Sequence, residues 1–246
     1  MRASAALGIE RVAGRDVVRV LRSAAPLTLM PVRPNGSGGP AVVHLLNSAA
    51  APLGGDDLTL TVHVGPGATL VLTGIAATLA LPGSHGAPSR MAVHLRLAEE
   101  ASVDHLPEPT VITARARHAA VLTADLAPGA RLHTREVLVL GRAGERPGAL
   151  TTSTNVTRAG RPVLRQHLTI GDPDLDASVA YLAGKRVLAT DLRVDDTSPE
   201  PASGEWWSRT PLAAGGTLTT ALADDAVTAL RHLELSAARS VSAHQG

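Results

Sequence analysis

A unit written three times between Leu58 and Arg142 limits what this chain can fold into. LTLTVHV, the turn Gly65-Pro66-Gly67-Ala68 and TLVLTG make the first copy; MAVHLRL, Ala98-Glu99-Glu100-Ala101 and SVDHL the second; AAVLTADL, Ala127-Pro128-Gly129-Ala130 and RLHTREVLVLGR the third. In the first copy Leu58, Leu60, Val62 and Val64 alternate with Thr59, Thr61 and His63. In the second, Met91, Val93, Leu95 and Leu97 alternate with Ala92, His94 and Arg96. A period of two sends one set of side chains to a buried face and the other to a wetter one. The turns follow from Pro, which fixes φ, and Gly, which accepts φ > 0. Units recurring about every 30 residues, none able to bury its apolar face alone, predict strands stacked along an axis rather than a compact sandwich.

The 246 residues suit one all-β domain, and no linker divides them, so residues 1–246 are read as a single domain with residues 1–10 and 240–246 fraying. Phe is absent and the aromatic residues are Tyr181, Trp206 and Trp207, which leaves Leu, Val, Ile and Ala to build the core. Each buried aliphatic side chain contributes about 1.5–3 kcal/mol, so stability must come from many such contacts. A net charge of +1, with Lys185 the only lysine, does not suit a polyanion binder, and no nucleic-acid partner is expected. Without cysteine there are neither disulfides nor thiolate metal sites. Glu10, Arg11, Arg15, Asp16 and Arg19 break up any leader-like apolar run, and no segment reaches the roughly 18 apolar residues of a membrane span. The expectation is a cytoplasmic protein with no membrane partner.

Along the chain, Arg11, Arg15, Arg19 and Arg22 have helical spacing, but Val17, Val18 and Val20 favour a strand. The glycine-rich loop at residues 34–40 lacks the Lys-Ser/Thr of a nucleotide cradle and reads as a connector. Residues 106–112 hold Pro107 and Pro109 and form an extended corner. Strands are expected at residues 163–170 and 175–184, joined at Gly171-Asp172-Pro173-Asp174, and at residues 186–194. Residues 223–238 form the best helix, with Asp224 and Asp225 at its N-terminal dipole.

Catalytic apparatus is not visible. The ten histidines include no His-x-x-x-His pair, and His63 and His94 fall at polar positions of alternating strands. No Gly-x-Ser-x-Gly elbow occurs. Glu99-Glu100, Asp195-Asp196 and Asp224-Asp225 are adjacent acids that would point to opposite faces of a strand. No catalytic residue and no resident metal site is predicted. Exposed strand ends favour an interaction protein.

The order of landmarks goes further. Ala25-Pro26-Leu27, Gly54-Gly55-Asp56, Gly67-Ala68, Thr73 through Thr78, Leu106-Pro107-x-Pro109 and Gly141-Arg142 through Gly144-Glu145 together resemble the urease accessory protein UreD (UreH) family. The resemblance implies a mainly β fold, a β-helix-like stack of antiparallel and mixed strands with one or two short helices near the C-terminus. It also implies a non-catalytic maturation factor that binds the urease apoprotein. With UreF and the GTPase UreG, reached through UreF, such a factor supports nickel delivery, and nickel moves along an internal polar tunnel. No tightly bound cofactor is implied; nickel is cargo in transit. On this basis Asp56, Thr73, Pro107, Pro109, Arg142 and Glu145 are candidates for a partner contact or the ion path. Asp56 can equally form a turn, and Arg142 can equally pair with Glu145 structurally. Leu79 and Leu81 replace the family's usual Lys and aromatic residue, and the Gly141 to Glu145 motif is about two residues short. The competing reading is a β-helix carbohydrate-active enzyme with two carboxylates about 5–9 Å apart in a groove. The shortage of aromatic stacking platforms counts against it.

Overall fold

The structure, a computed structural model, describes residues 1–33, 39–84, 86–195, 197 and 199–242, with side chains as far as residue 237. Alternation governs how its strands pack. In chain order they are β1 (Arg2–Val12), β2 (Arg15–Arg22), β3 (Leu27–Pro31), β4 (Ala41–Asn47), β5 (Asp57–Val64), β6 (Thr69–Gly74), β7 (Thr78–Ala80), β8 (Ser89–Leu97) and β9 (Ser102–Leu106). There follow β10 (Thr110–Ile112), β11 (Arg117–Leu126), β12 (Arg131–Leu140), β13 (Ala149–Arg158), β14 (Arg161–Ile170) and a short helix α1 (Pro173–Ala177). Last come β15 (Val187–Val194), β16 (Ala202–Ser203), β17 (Trp207–Pro211), β18 (Thr217–Ala223) and α2 (Ala226–Ser242).

The three repeats are three coils. Their first strands β5, β8 and β11 lie side by side and parallel in a seven-stranded sheet, ordered β14-β13-β11-β8-β5-β1-β2. Their second strands β6, β9 and β12 do the same in an eleven-stranded sheet, ordered β16-β17-β18-β15-β12-β9-β6-β4-β3 with β7 and β10 off the path. The expected mainly β, solenoid-like stack is what forms. Leu58, Leu60, Val62, Val64, Leu95 and Leu97 face Leu70, Leu72, Val103 and Leu132 in the core between the sheets.

One edge of the stack is closed by the repeat turns. Ala68, Ala101 and Ala130 are wholly buried there, and each donates its N–H across the turn, to Gly65 O, Ala98 O and Ala127 O. The residue before each alanine has positive φ: +61° at Gly67, +56° at Glu100 and +71° at Gly129. Two copies meet that demand with glycine and one does not. At the opposite edge β6 leads to β7, β9 passes the Pro107-Pro109 corner to β10, and β12 runs straight through. Thr110–Ile112 then pairs in parallel with both β7 and β12, so pairing resumes directly after the two prolines.

Antiparallel strands finish both ends of the stack: β2 beside β1 and β3 beside β4 at one, β14 beside β13 and β15 beside β12 at the other. The helix α2 covers the outer face of the larger sheet, where Ala229 and Leu233 pack on Val137, Ala189, Ala221 and Trp207. Asp225 caps it, accepting the Thr228 N–H at 2.8 Å.

Four expectations change. The first ten residues do not fray; Ala3, Ala5, Leu7 and Ile9 alternate inward, and β1 is paired on both sides, with β2 and β5. At the other terminus α2 continues to Ser242, and only residues 243–246 of the expected frayed tail lie outside the described residues. The strand expected at residues 175–184 is instead α1 followed by turns, because Asp172 accepts N–H bonds from Asp174 and Leu175 and Pro173 starts the helix. Ala223 closes β18, so the final helix starts three residues later than read. The glycine-rich loop lies, at residues 34–38, outside the described residues.

Candidate functional site

Between the sheets, towards the edge opposite the repeat turns, lies a cavity of ≈ 350 Å³. It extends from Leu27 and Asn47 of the first strands and Pro52 of the loop before β5 to Gln166, Thr190 and Leu218 of the last strands, so it follows the stack axis. It reaches the surface beside Ile75, which is 55% exposed. Near the first strands the lining is aliphatic: Leu45, Leu58, Leu72, Met91 and Val93. Farther along, the same inward positions carry polar groups.

Three hydrogen-bonded pairs set the chemistry of that polar half. On the larger sheet, His105 of β9 is in register with Thr134 of β12, with Nδ1 3.0 Å from Oγ1. On the smaller one, His118 of β11 is in register with Ser89 of β8, with Nδ1 2.9 Å from Oγ. Between the sheets, the Thr152 hydroxyl of β13 donates to Glu136 of β12, 3.1 Å from each carboxylate oxygen. Burial lowers both imidazoles to about 4, which keeps them neutral at physiological pH. Burial raises Glu136 to about 7 against the opposing Thr152 bond. Glu136 is half-buried by accessible surface, yet it lines the cavity, so desolvation governs it. The lining therefore offers neutral nitrogens, hydroxyls, the carboxyls of Glu108 and Glu136 and the Arg135 guanidinium, and burial makes the charge of Glu136 change near neutrality. Among the described residues no group of three or more His, Asp or Glu is placed to hold a metal ion.

The sequence candidates divide. Thr73 and Pro107 line the cavity, Thr73 with its hydroxyl 2.7 Å from His44 Nδ1. Pro109 holds the corner, its carbonyl accepting the Thr78 N–H at 2.9 Å. Asp56 is buried at the entry to β5, where Oδ1 accepts from the Met1 ammonium at 2.7 Å and Oδ2 from Leu53 N–H at 2.8 Å. Arg142 and Glu145 form an ion pair with each other, with Arg142 Nε 2.8 Å from Oε1. Glu145 Oε2 also accepts from the backbone of Arg142 and Ala114. The pair holds Glu145 down at about 2, and Arg186 ties the same loop by donating to the carbonyl of Arg142 at 2.7 Å. None of Asp56, Pro109, Arg142 or Glu145 lines the cavity. Of the two replaced positions, Leu79 is 40% exposed on β7, and Leu81 bridges to Leu53.

His105, His118 and Glu136 escaped the sequence reading although alternation marks two of them. His105 shares a face with Val103, and Glu136 shares one with Leu132, Leu138 and Leu140. An ionisable residue on a buried stripe was the signal. His118 was missed because the strand starts two residues before the AAVLTADL run.

Comparison with known proteins identifies the family. The profile described as UreD urease accessory protein matches residues 1–244. Urease accessory protein UreD 1 of Saccharopolyspora erythraea is 56% identical over 237 residues, covering 95% of this chain and 93% of that protein. The UreD of Parafrankia sp. is 40% identical, covering 95% of this chain and 87% of the relative, and that of Streptomyces coelicolor is 38% identical, covering 90% and 89%. No described helix is long and apolar enough to cross a membrane. With a profile match along nearly its whole length and relatives this similar, the chain belongs to the UreD family of urease accessory proteins.

Proposed function

We propose that this UreD family member serves urease maturation as a non-catalytic scaffold in the cytoplasm. It binds the urease apoprotein and, with UreF and the GTPase UreG reached through UreF, supports delivery of nickel, which travels along the cavity. It holds no tight cofactor of its own. The cavity is the observation that carries this reading: it runs across the coils, and its polar half joins neutral imidazoles and hydroxyls to the carboxyls of Glu108 and Glu136, with Arg135 beside them. A conduit must release its ion, and separated neutral donors offer passing contacts where a closed set of anionic ligands would hold it. Filling the space tests the reading. Ala120 lines the cavity from β11, and Ala120→Phe is expected to lower urease activation in nickel-limited cells while pull-down of urease apoprotein and UreF is retained. Full activation with the cavity filled would refute the conduit. Loss of the pull-down from the wild-type chain would refute the scaffold.

A further inference from the structure

A second cluster of titratable groups lies on the outer face of the larger sheet, across the wall from the cavity. His133 of β12 stands between Asp104 of β9 and Asp191 of β15, with Nδ1 3.4 Å from Asp104 Oδ1 and Nε2 2.7 Å from Asp191 Oδ2. Arg193 Nε donates to the other oxygen of Asp191 at 3.0 Å. Ionised carboxylates only accept, so one at each nitrogen favours the doubly protonated ring. The His133 side chain thus links three strands.

The neighbouring groups are few. On its own strand Arg131 and Arg135 flank His133 at the next outward positions. Beyond β9, β6 places Val71 opposite Asp104, and beyond β15, β18 places Thr217 and Thr219 opposite Arg193 and Asp191. Arg231, His232 and Glu234 are the titratable and charged residues on the described side chains of α2, and none is bonded to His133. Burial lowers the His133 pKa, and the two carboxylates outweigh that and raise it.

Register connects this cluster to the cavity. Asp104 pairs with His133 and faces outward; the next residues, His105 and Thr134, pair with each other and face inward. The β9–β12 ladder spans only Ser102–His105 against Arg131–Thr134 before the chain leaves at the Pro107 corner. A contact on its outer side therefore bears on a large share of its length.

We propose that His133 is a proton switch in the cavity wall: protonated, it clamps β9 to β12 and β15 and steadies the inward His105–Thr134 pair; neutral, it frees Asp104 and loosens that stretch. When the proton leaves, one N–H remains. The shorter bond to Asp191, backed by Arg193, keeps it, so the Nδ1 lone pair then faces the Asp104 carboxylate and attraction becomes repulsion. Because the folded His133 pKa lies above its unfolded value, the clamp is complete below the unfolded pKa and is lost as pH rises through the folded one. The link to ion passage rests on the function proposed above; the switch itself does not.

Solution NMR on the full chain tests it. The His133 ring nitrogens are followed from about pH 6 to about pH 9, with amide protection of Val103 to Leu106 measured over the same range and corrected for the intrinsic exchange rate. Both nitrogens are expected to be protonated at the lower limit, with a midpoint above the ordinary value of about 6.5. Protection of these amides should fall through that midpoint, about tenfold for each unit by which it is raised, while Leu60 and Val62 of β5 stay unchanged. Asp104→Asn should remove the pH dependence of β9 and leave the sheet folded. A midpoint at or below the ordinary value, or β9 protection indifferent to the His133 titration, would overturn the switch. These readouts involve neither nickel nor urease, so they separate its failure from that of the conduit.

Discussion

At one edge of the stack Ala68, Ala101 and Ala130 are fully buried in tight turns; at the other, His105, His118, Thr134 and Glu136 surround open space. The same strands contribute to both. What differs is the size and polarity of the inward residue at each level. Small side chains let the coils approach at the turns, and aliphatic ones fill the middle. Near the corners polar ones pair with one another beside the cavity. A single repeat thus builds a rigid seam and a cavity, and each level has its own tolerance to change.

The largest expected effect is at Glu136. Its folded pKa of about 7 exceeds the ordinary 4.5, so between these values the folded chain binds more protons than the unfolded one, and stability falls as pH rises across that window. Glu136→Gln removes the charge and keeps an acceptor for Thr152; it should stabilise the chain by about 2–3 kcal/mol at pH 8 and by almost nothing at about pH 4.5, read from urea midpoints. His105 and His118 act in the opposite sense. Lowered from 6.5 to about 4, they bind fewer protons when folded, and stability falls as pH drops through that interval. Equal stability at both pH values in wild type and Glu136→Gln would remove the electrostatic half of the contrast.

Next comes a pair of identical substitutions. Ala101→Leu pushes a larger side chain into the closed seam between Ala68 and Ala130 and should cost about 1–3 kcal/mol. Ala120→Leu extends into the cavity and should cost less than about 1 kcal/mol or stabilise. Thermal unfolding of the two variants decides it, and equal losses would mean that the seam and the cavity are packed alike. The smallest effect is at Glu100. It has φ +56° where its counterparts are glycine, so Glu100→Gly should stabilise by about 0.5–1 kcal/mol, strain relief exceeding the added unfolded-state entropy. A destabilised Glu100→Gly would show that the glutamate side chain itself holds the seam.

How far the sequence foretold this structure depends on the range of the interactions concerned. Turns and alternation are local, so the three coils and the presence of a final helix near Asp224 and Asp225 were readable. The alternation of Ala3, Ala5, Leu7 and Ile9 was equally plain, but chain-end position argued for fraying and tertiary pairing with β5 prevailed. At Asp172-Pro173 a helix start was written in the residues, and the apolar residues after it drew the reading towards a strand. The cavity was illegible for another reason. Which inward residues meet across the sheets depends on the register of β11, β12 and β13, and no period along a single strand encodes it. Asp56, Arg142 and Glu145 became candidates through the glycine-bearing motifs that carry the family resemblance, and glycine-rich turns are also where a fold fastens its own loops.

The outermost strands settle how long this solenoid can be. β2 and β14 each run opposite to the neighbour they cover. A further coil laid on either side would meet a backbone pointing the wrong way to extend the parallel ladder. On β2 it would also meet Arg15, Arg19 and Arg22. A repeat that could in principle propagate without limit is thereby capped among the described strands, and another coil in the same orientation cannot continue its parallel ladder.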